Sequence, residues 1–390
     1  MVDATTSPGR ISSDRGLGAL RLIAAIRLAF DPRKLAIAAV GLVLLQAGWA
    51  MFDVLLPASA GVTPDLFGPP PPGAAPAEGW NWLGERATAS TLRLCEPFRL
   101  LTTPLRMLLE PASEWGAMLH ALLGLVWLAV VWGVCGGAIA RLAVIQEAQM
   151  RQPGIGEGIR FALRSAATLI VAPLCPLFGM AFCSLVGVVF GLLYRVSYGA
   201  EVAGAGLILP LAAGLVMTLL AAGLVAGWPL FHAALAAGAD DALDALSRTF
   251  SYLNQRLGLF VAGVAMAWLA GLVGLVGVDL LADGVIRLTQ WSLSLSGGRS
   301  LPETLFWHRE LAAGTAAAAT HGFWLGLVRL LARGWIYSFV WTAGAFLYLW
   351  LRQEVDGTPW TEIDPALASP APSPGPVAAV PKPQSPLEIS

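Results

Sequence analysis

The chain contains six apolar runs that are long enough to cross a lipid bilayer as α-helices. A spanning helix needs roughly 20 apolar residues, because the hydrocarbon core is about 30 Å thick and each helical residue rises about 1.5 Å. The interiors of the runs contain no Lys or Arg, whose burial in lipid is unfavourable. The sequence therefore predicts an all-α, polytopic helical membrane bundle of about six transmembrane helices. The predicted spans are Leu35–Leu56, Ala117–Ala140, Ala166–Tyr194, Ala205–Phe231, Leu257–Ala282 and Gly334–Leu351.

The composition agrees with a membrane protein and argues against a nucleic-acid-binding surface. Hydrophobic residues make up 56% of the 390 residues and charged residues only 13%, whereas soluble domains are about 25% charged. The formal net charge of −1 gives no overall positive field that would attract nucleic acid. The four cysteines have neither metal-site nor disulfide-framework spacing. No cofactor, metal ligand or catalytic residue is predicted.

The distribution of basic residues predicts the orientation. Fourteen of the 24 Lys and Arg residues lie in the two terminal segments and in the loops on the same side of the membrane. Positive residues are retained on the cytoplasmic side. We therefore expect a multi-pass protein of the inner (cytoplasmic) membrane with both termini in the cytoplasm.

The segments around the spans differ in composition. Residues 1–34 are predicted to form a cytoplasmic amphipathic amino-terminal segment before the first span (35–56). We expect residues 57–116 to form an outer, Pro-rich loop with interfacial helices, and residues 117–355 to form a five-span helical core. The Pro- and Ala-rich cytoplasmic tail, 356–390, is predicted to be disordered, because it has too few apolar side chains to bury.

Two segments favour amphipathic helices at the membrane surface. In the outer loop Arg93, Arg99 and Arg106 recur every six or seven residues, and we expect breaks at Pro97 and Pro104. Before the last span, residues 311–333 are nearly apolar enough for a seventh span but include His321 and two arginines on one helix face. We expect an interfacial helix there, with a seventh span as the alternative.

Three segments that precede odd-numbered spans resemble one another. Glu157–Arg164 precedes the third span and Asp241–Arg248 the fifth, and a looser copy, Ala25–Arg33, precedes the first. The repeating unit predicted from them is a short cytoplasmic amphipathic helix that leads into a span. Chance similarity between Ala- and Leu-rich segments is the alternative.

Two short motifs support a family resemblance. Asp244-Ala-Leu246, followed by Tyr252, leads into a span, and Trp350-Leu-Arg-Gln-Glu-Val-Asp-Gly-Thr358 follows the last one. Over about residues 118–360 the chain resembles uncharacterised bacterial polytopic membrane proteins, some of which are similar to the membrane-anchor domain that accompanies glycerophosphodiester phosphodiesterases. The resemblance implies a helical membrane domain. It implies no activity, because the phosphodiesterase barrel is absent from this sequence.

The histidines have no pattern typical of metal binding or acid–base catalysis. None of His120, His232, His308 and His321 has a partner at ligand spacing. His308 and Glu310 are two residues apart, which places them on different faces of a helix.

Polar residues inside the spans are interpreted as packing residues, because hydroxyl groups can bond to their own helix. Ser184 lacks the Gly-x-Ser-x-Gly frame of an exposed nucleophile. The other three are Gln46, Thr218 and Thr342.

Two further groups have a functional alternative. Asp53, Asp279 and Asp283 mark the outer ends of spans, although they could also ring a cation entry site. The glycines at 154, 156 and 158 predict a flexible turn, since their spacing does not match a nucleotide-binding loop.

Proline and glycine suggest closely packed, kinked spans. Pro173, Pro176 and Pro210 fall inside predicted spans, where they can kink a helix. Three Gly-x-x-x-Gly pairs allow close helix approach. These pairs are Gly133/Gly137, Gly187/Gly191 and Gly223/Gly227. The last span is dense in Trp, Tyr and Phe between Trp335 and Trp350, which predicts interfacial anchors.

These features favour a non-enzymatic membrane protein that scaffolds partners or organises lipids. Its expected partners are membrane lipids, and a protein bound at the cytoplasmic loops or tail. The kinked, Gly-rich spans support the alternative, a transporter or permease subunit for an apolar or lipid-like solute.

Overall fold

The protein is helical throughout the part of the chain described by the computed structural model, which comprises residues 24–56, 81–110, 114–297 and 316–363. No strand occurs within those ranges, where residues 24–29 form a first short helix. The later helices are α1 (Pro32–Leu55), α2 (Asn81–Leu94), α3 (Glu96–Leu109), α4 (Trp115–Ala148), α5 (Ile155–Arg164), α6 (Ala166–Leu193), α7 (Gly199–Ala205), α8 (Ile208–Ala237), α9 (Ala242–Gln255), α10 (Leu257–Gly297) and α11 (Ala316–Asp356).

Six helices within the described ranges, α1, α4, α6, α8, α10 and α11, are long and apolar enough to span a bilayer. Each overlaps one of the six predicted runs, so the predicted fold class is confirmed and the chain is a multi-pass membrane protein. We call the end of the bundle where α1 begins and α11 ends the proximal end, and the opposite end the distal end.

The last span differs from its prediction. Residues 316–333 are the first part of α11, which continues without a break to Asp356. A separate interfacial helix and a seventh span are therefore both wrong for these residues. The physical reason is that no proline interrupts the helix between 316 and 356. Residues 311–315 lie outside the described ranges.

Counted along the chain, the second, fourth and sixth spans are α4, α8 and α11. These even-numbered spans form the core, run parallel and contact one another. The first, third and fifth spans, α1, α6 and α10, are the odd-numbered spans and surround the core. Helix α1 packs on α4 and α11, α6 packs on α4 and α8, and α10 packs on α11. Each outer span is thus followed in the chain by a core span.

Reciprocal Gly–Trp contacts hold α1 and α4 close together. The Trp127 indole covers Gly48, where an added Cβ would lie 2.0 Å from Nε1. Trp49 in turn covers Gly124, where an added Cβ would lie 2.4 Å from the ring. Small residues allow such close approach between spanning helices.

The three Gly-x-x-x-Gly pairs differ in what they face. The pair Gly133/Gly137 on α4 faces α6, and the pair Gly223/Gly227 on α8 lies against α9. The pair Gly187/Gly191 on α6 has no described side chain within 4 Å. The prediction of close approach is therefore confirmed for two pairs.

A short helix precedes each odd-numbered span, as the repeat predicted. Helix α5 precedes α6 and packs on α4, and α9 precedes α10 and packs on α8. Residues 24–29 precede α1 and lie against α11, where the Ser338 hydroxyl donates to the Ala29 carbonyl at 2.8 Å. One unit of the repeat is a short helix with the two spans that follow it. The short helices of the second and third units each pack on the even-numbered span of the unit before. The short helix of the first unit packs on α11, the last span of the third unit.

The segment that follows α11 is folded further than predicted. The chain turns at Gly357 (φ +70°), and Trp360 is only 5% exposed, with its ring against Phe346. Arg352 donates to the carbonyls of Pro359 and Glu362. Disorder from residue 356 is therefore wrong for the stretch that reaches residue 363, because Trp360 buries a large apolar ring. Residues 364–390 lie outside the described ranges.

Candidate functional site

The acidic residues at the distal ends of spans have different partners. Asp279 forms an ion pair with Arg93 of α2 at 2.7 Å, and Asp53 lies 3.8 Å from His120 Nε2. Asp283 is exposed. In the described part of the chain, no group of three or more His, Cys, Asp or Glu residues could hold a metal ion. A cation-binding ring of these three acids thus finds no support.

Two of the hydroxyls predicted to be packing residues bond to their own helix. Ser184 donates to the Ala181 carbonyl at 2.7 Å, and Thr218 to the Gly214 carbonyl at 2.8 Å. His308 and Glu310 lie outside the described ranges. Only the backbone of His321 is described, within α11.

Thr342 is more than a packing residue, because it accepts a hydrogen bond from a buried lysine. Lys34 is 0% exposed, and its Nζ donates to Thr342 Oγ1 at 3.3 Å. The sequence placed Lys34 before the first span, but α1 begins at Pro32. The signal was present in the sequence, since Asp31 as an N-cap and proline at the first helical position are typical of a helix start.

A polar network around Asp31 fixes the proximal end of α1. The Arg33 side chain and the Gln146 amide of α4 donate to the Asp31 carboxylate at 3.0 and 2.5 Å. Burial raises the pKa of Asp31, but these bonds and the one from the Arg33 backbone outweigh it and lower the pKa. Arg33 also donates to Gln152 Oε1 at 2.6 Å and to the Pro153 carbonyl. The network therefore ties α1 to the connection between α4 and α5.

Arg141 is a second buried cation that the sequence prediction misplaced. The second span was predicted to end at Ala140, but α4 continues to Ala148, and Arg141 is 1% exposed. Its guanidinium donates to the Ala236 carbonyl at 2.5 Å and lies 5.3 Å from the Phe161 ring centroid. Arg141 thus joins α4 to α8 and α5.

Gly158 allows α5 to approach α4 near Arg141. Gly154 caps α5, whereas Gly156 and Gly158 lie within it, so the predicted flexible turn is wrong for these two. A Cβ at Gly158 would lie 3.0 Å from the Ala138 carbonyl oxygen. The close approach of the two helices explains why glycine stands there.

Helices α2 and α3 form a hairpin whose tip is inserted between spans. Leu94, at the end of α2, is 5% exposed and covers Gly271 of α10 beside Phe339 of α11. Helix α3 then packs on α4 and α8. The pair was predicted to lie at the interface, and the structure places its tip inside the bundle. The break falls at Cys95, whereas Pro104 lies within α3 without ending it.

The hairpin tip carries a charged cluster. The Glu96 carboxylate accepts hydrogen bonds from Arg333 Nε at 2.8 and 2.9 Å and from the Tyr337 hydroxyl at 2.8 Å. Arg333 is the residue predicted to lie on an interfacial helix face. With charge and hydrogen bonds both satisfied, the carboxylate can stay inside the bundle. The cluster joins α3 to α11.

A layer of aromatic rings fills the centre of the bundle next to this cluster. Trp132 stacks on Tyr337 with centroids 4.5 Å apart, and Trp341 lies between Trp132, Trp228 and His232. His232 is 0% exposed, and its Nδ1 lies 2.9 Å from the Trp228 carbonyl oxygen.

The aromatic residues of α11 are core residues. Those named between Trp335 and Trp350 are at most 4% exposed, so their assignment as interfacial anchors is wrong. The reason is that α11 is a central helix with neighbours on several sides. The residues concerned are Trp335, Tyr337, Phe339, Trp341, Phe346, Tyr348 and Trp350.

An apolar crevice lies beside the aromatic layer, between α3, α4, α6 and α8. Its lining includes Leu101, Pro173, Leu177 and Trp228. It offers about 10 Å³ of space, which is at the limit for one water molecule. The site is thus a closed column of aromatic and paired polar side chains, capped distally by the hairpin.

Comparison with known proteins found no matching family model, no matching curated protein and no matching solved structure. What is concluded about function rests on the bundle itself.

Proposed function

We propose that the protein is non-enzymatic and organises lipids or partner proteins around a rigid bundle in the cytoplasmic membrane, with both termini in the cytoplasm. The observation that supports this proposal most strongly is that side chains fill the centre of the bundle. Trp132, Trp228 and Trp341 are each at most 2% exposed and occupy the space between the three core spans. A close-packed core of this kind resists deformation and suits a platform for other molecules.

The distal halves of α6 and α8 supply the apolar surface of this platform. They pack on each other, while large side chains point outward, such as Phe182 at 74% and Leu215 at 62% exposed. Lipid chains are the partners that such a surface fits in a membrane. A protein partner at the proximal loops or tail is the other expected contact.

Gentle extraction followed by mass spectrometry of co-purifying proteins and lipids tests this function. We expect phospholipid or one protein to be retained in a fixed ratio to the chain. The same purification with residues 364–390 removed separates tail-bound proteins from bundle-bound lipids. Catalysed solute flux in proteoliposomes, with nothing retained on purification, would overturn the proposal.

The second candidate is a transporter or permease subunit for an apolar or lipid-like solute. The inserted α2–α3 hairpin favours it, because the hairpin covers the crevice lined by Pro173 and could uncover it by moving outward. Two ion pairs, Arg93–Asp279 and Glu96–Arg333, hold the hairpin in place.

Cys95 at the hairpin tip reports such movement. Burial raises the pKa of its thiol, and a thiol reacts as the thiolate, so a docked tip reacts slowly with maleimide. Asp279→Asn removes the charge that pairs with Arg93, and a partly exposed ion pair contributes about 1 kcal/mol. If the hairpin moves, Cys95 should then be labelled up to about fivefold faster. Mass spectrometry of the peptide that contains Cys95 measures the labelling rate.

Asp283→Asn is the matched control, since Asp283 lies one turn away on α10 and is exposed. Equal labelling rates in the wild type and both variants would show a fixed wedge and weigh against the transporter. The resemblance to the phosphodiesterase-associated membrane anchor stays a prediction.

A further inference from the structure

Two proximal junctions between a short helix and its span, those that precede α6 and α10, share one surface feature. At each junction an exposed arginine lies next to a large, exposed apolar side chain. Leu163 and Leu257 are 62% and 60% exposed, respectively. The arginines are Arg164 and Arg256, both exposed. We call these four residues the basic collar.

Helix α5 shows the feature most fully, because it has two apolar faces. One face, with Phe161 and Ala162, is buried against α4. The other carries Ile155, Ile159 and Leu163 at 39%, 38% and 62% exposed. These three recur every four residues and form a ridge that points away from the bundle. An exposed ridge of this kind is typical of a helix that lies in a membrane interface.

The collar arginines differ in their partners from three other proximal arginines. Arg33, Arg151 and Arg248 form salt bridges with Asp31, Glu157 and Asp244, respectively. Within the described ranges, no salt bridge involves Arg164 or Arg256. Both are exposed, so their charge is open to a partner outside the bundle.

The position of the collar identifies what surrounds it. Helices α6 and α10 begin directly after Ser165 and Arg256, so these junctions stand at the membrane boundary. Lipid phosphates occupy that depth, and guanidinium groups pair with phosphate oxygens in a bidentate manner. The adjacent apolar side chains reach the acyl region, while arginine extends toward the headgroups.

We propose that the basic collar binds the phosphate groups of anionic phospholipids in the leaflet at the proximal end, with its apolar side chains among the acyl chains. This inference rests on the proposed lipid-organising function and names the lipid class. The repeat provides two contact points on the bundle, one from each of the units that begin with α5 and α9.

The test uses the full chain in nanodiscs of equal parts phosphatidylglycerol and phosphatidylcholine. Native mass spectrometry counts the lipids of each class that stay bound, and titration gives their affinity. We expect phosphatidylglycerol to be enriched on the wild type. Each basic residue near an anionic surface strengthens binding about fivefold, so the double variant Arg164→Gln/Arg256→Gln should lose about thirtyfold in affinity.

Two further variants sharpen the result. The control Arg195→Gln/Arg329→Gln removes the same charge from exposed distal residues and should leave the enrichment unchanged. The double change of the collar arginines to Lys keeps the charge and should keep most of the binding.

The outcomes distinguish failure of the collar from failure of the lipid-organising function. Bound phospholipid with no preference for phosphatidylglycerol, or equal loss in the collar and control variants, overturns the collar and leaves the lipid-organising function standing. A wild type that retains neither lipid overturns both.

Discussion

Trp341→Ala should lower the free energy of unfolding by about 3 kcal/mol, the largest loss we expect from a single substitution. Trp341 is 1% exposed, contacts three other aromatic rings, and covers Gly136 so closely that an added Cβ would lie 2.6 Å from the indole. Removing it leaves a cavity among three helices, and core Trp→Ala changes cost about 3–5 kcal/mol in soluble proteins. We expect the lower end of this free-energy range, because the side chains of an unfolded span stay in lipid and are not exposed to water.

Trp291→Ala is the matched control, since Trp291 on α10 is 61% exposed. We expect less than about 0.5 kcal/mol there, measured by reversible unfolding in mixed micelles. Equal effects at the two positions would contradict the close-packed centre on which the proposed function rests.

Glu96→Leu should cost about 2–3 kcal/mol of unfolding free energy and release the hairpin tip from α11. The substitution leaves the Arg333 guanidinium without its carboxylate and the buried Tyr337 hydroxyl without its acceptor. Loss of a partner in a buried charged cluster costs more than the net stability of the intact pair. The side chains of Arg333 and Glu96 are 25% and 14% exposed, so solvent screening keeps the expected cost below that of a fully buried pair.

A double-mutant cycle with Arg333→Leu isolates the pair. We expect the double variant to be more stable than the sum of the single losses by about 0.5–3 kcal/mol. Glu201→Leu on α7, an exposed position, controls for the gain of an apolar side chain. Strict additivity would show that Glu96 and Arg333 do not stabilise the hairpin together.

The fold could be predicted from sequence because its strongest determinant is local. A run of apolar residues of bilayer length identifies a span without knowledge of its neighbours, and the acid–Arg spacing of the repeat identified α5 and α9. Each feature lies within one short stretch of chain, so a single sequence suffices to detect it.

The candidate site could not be predicted in the same way, because its determinants are tertiary. Lys34 and Arg141 were assigned to loops on the rule that spans contain no cations, and the rule fails where a helix is shielded by other helices. Their burial depends on Thr342 and on the Ala236 carbonyl, which are distant in sequence. The seven aromatic residues of α11 have the composition of a membrane-interface belt, and only the central position of α11 makes them core residues.

The hairpin was missed for a related reason. Its arginines suggested a surface helix, yet Arg93 is neutralised by Asp279, and the tip acid Glu96 by Arg333. Trp360 was likewise too isolated in a Pro-rich tail for its burial against Phe346 to be foreseen.

The closure of the first unit on the third has a consequence for biosynthesis. Lys34 enters the membrane with the first span, but its hydrogen-bond partner Thr342 lies 308 residues later in the chain. Contacts at such separation form late, because the intervening chain must first be synthesised and inserted. Until α11 arrives, α1 lacks one of its two neighbours among the core spans, and the Ala29 carbonyl lacks the Ser338 hydroxyl. Nascent chains truncated before α11 should therefore be incompletely packed at their first span as well as at their last.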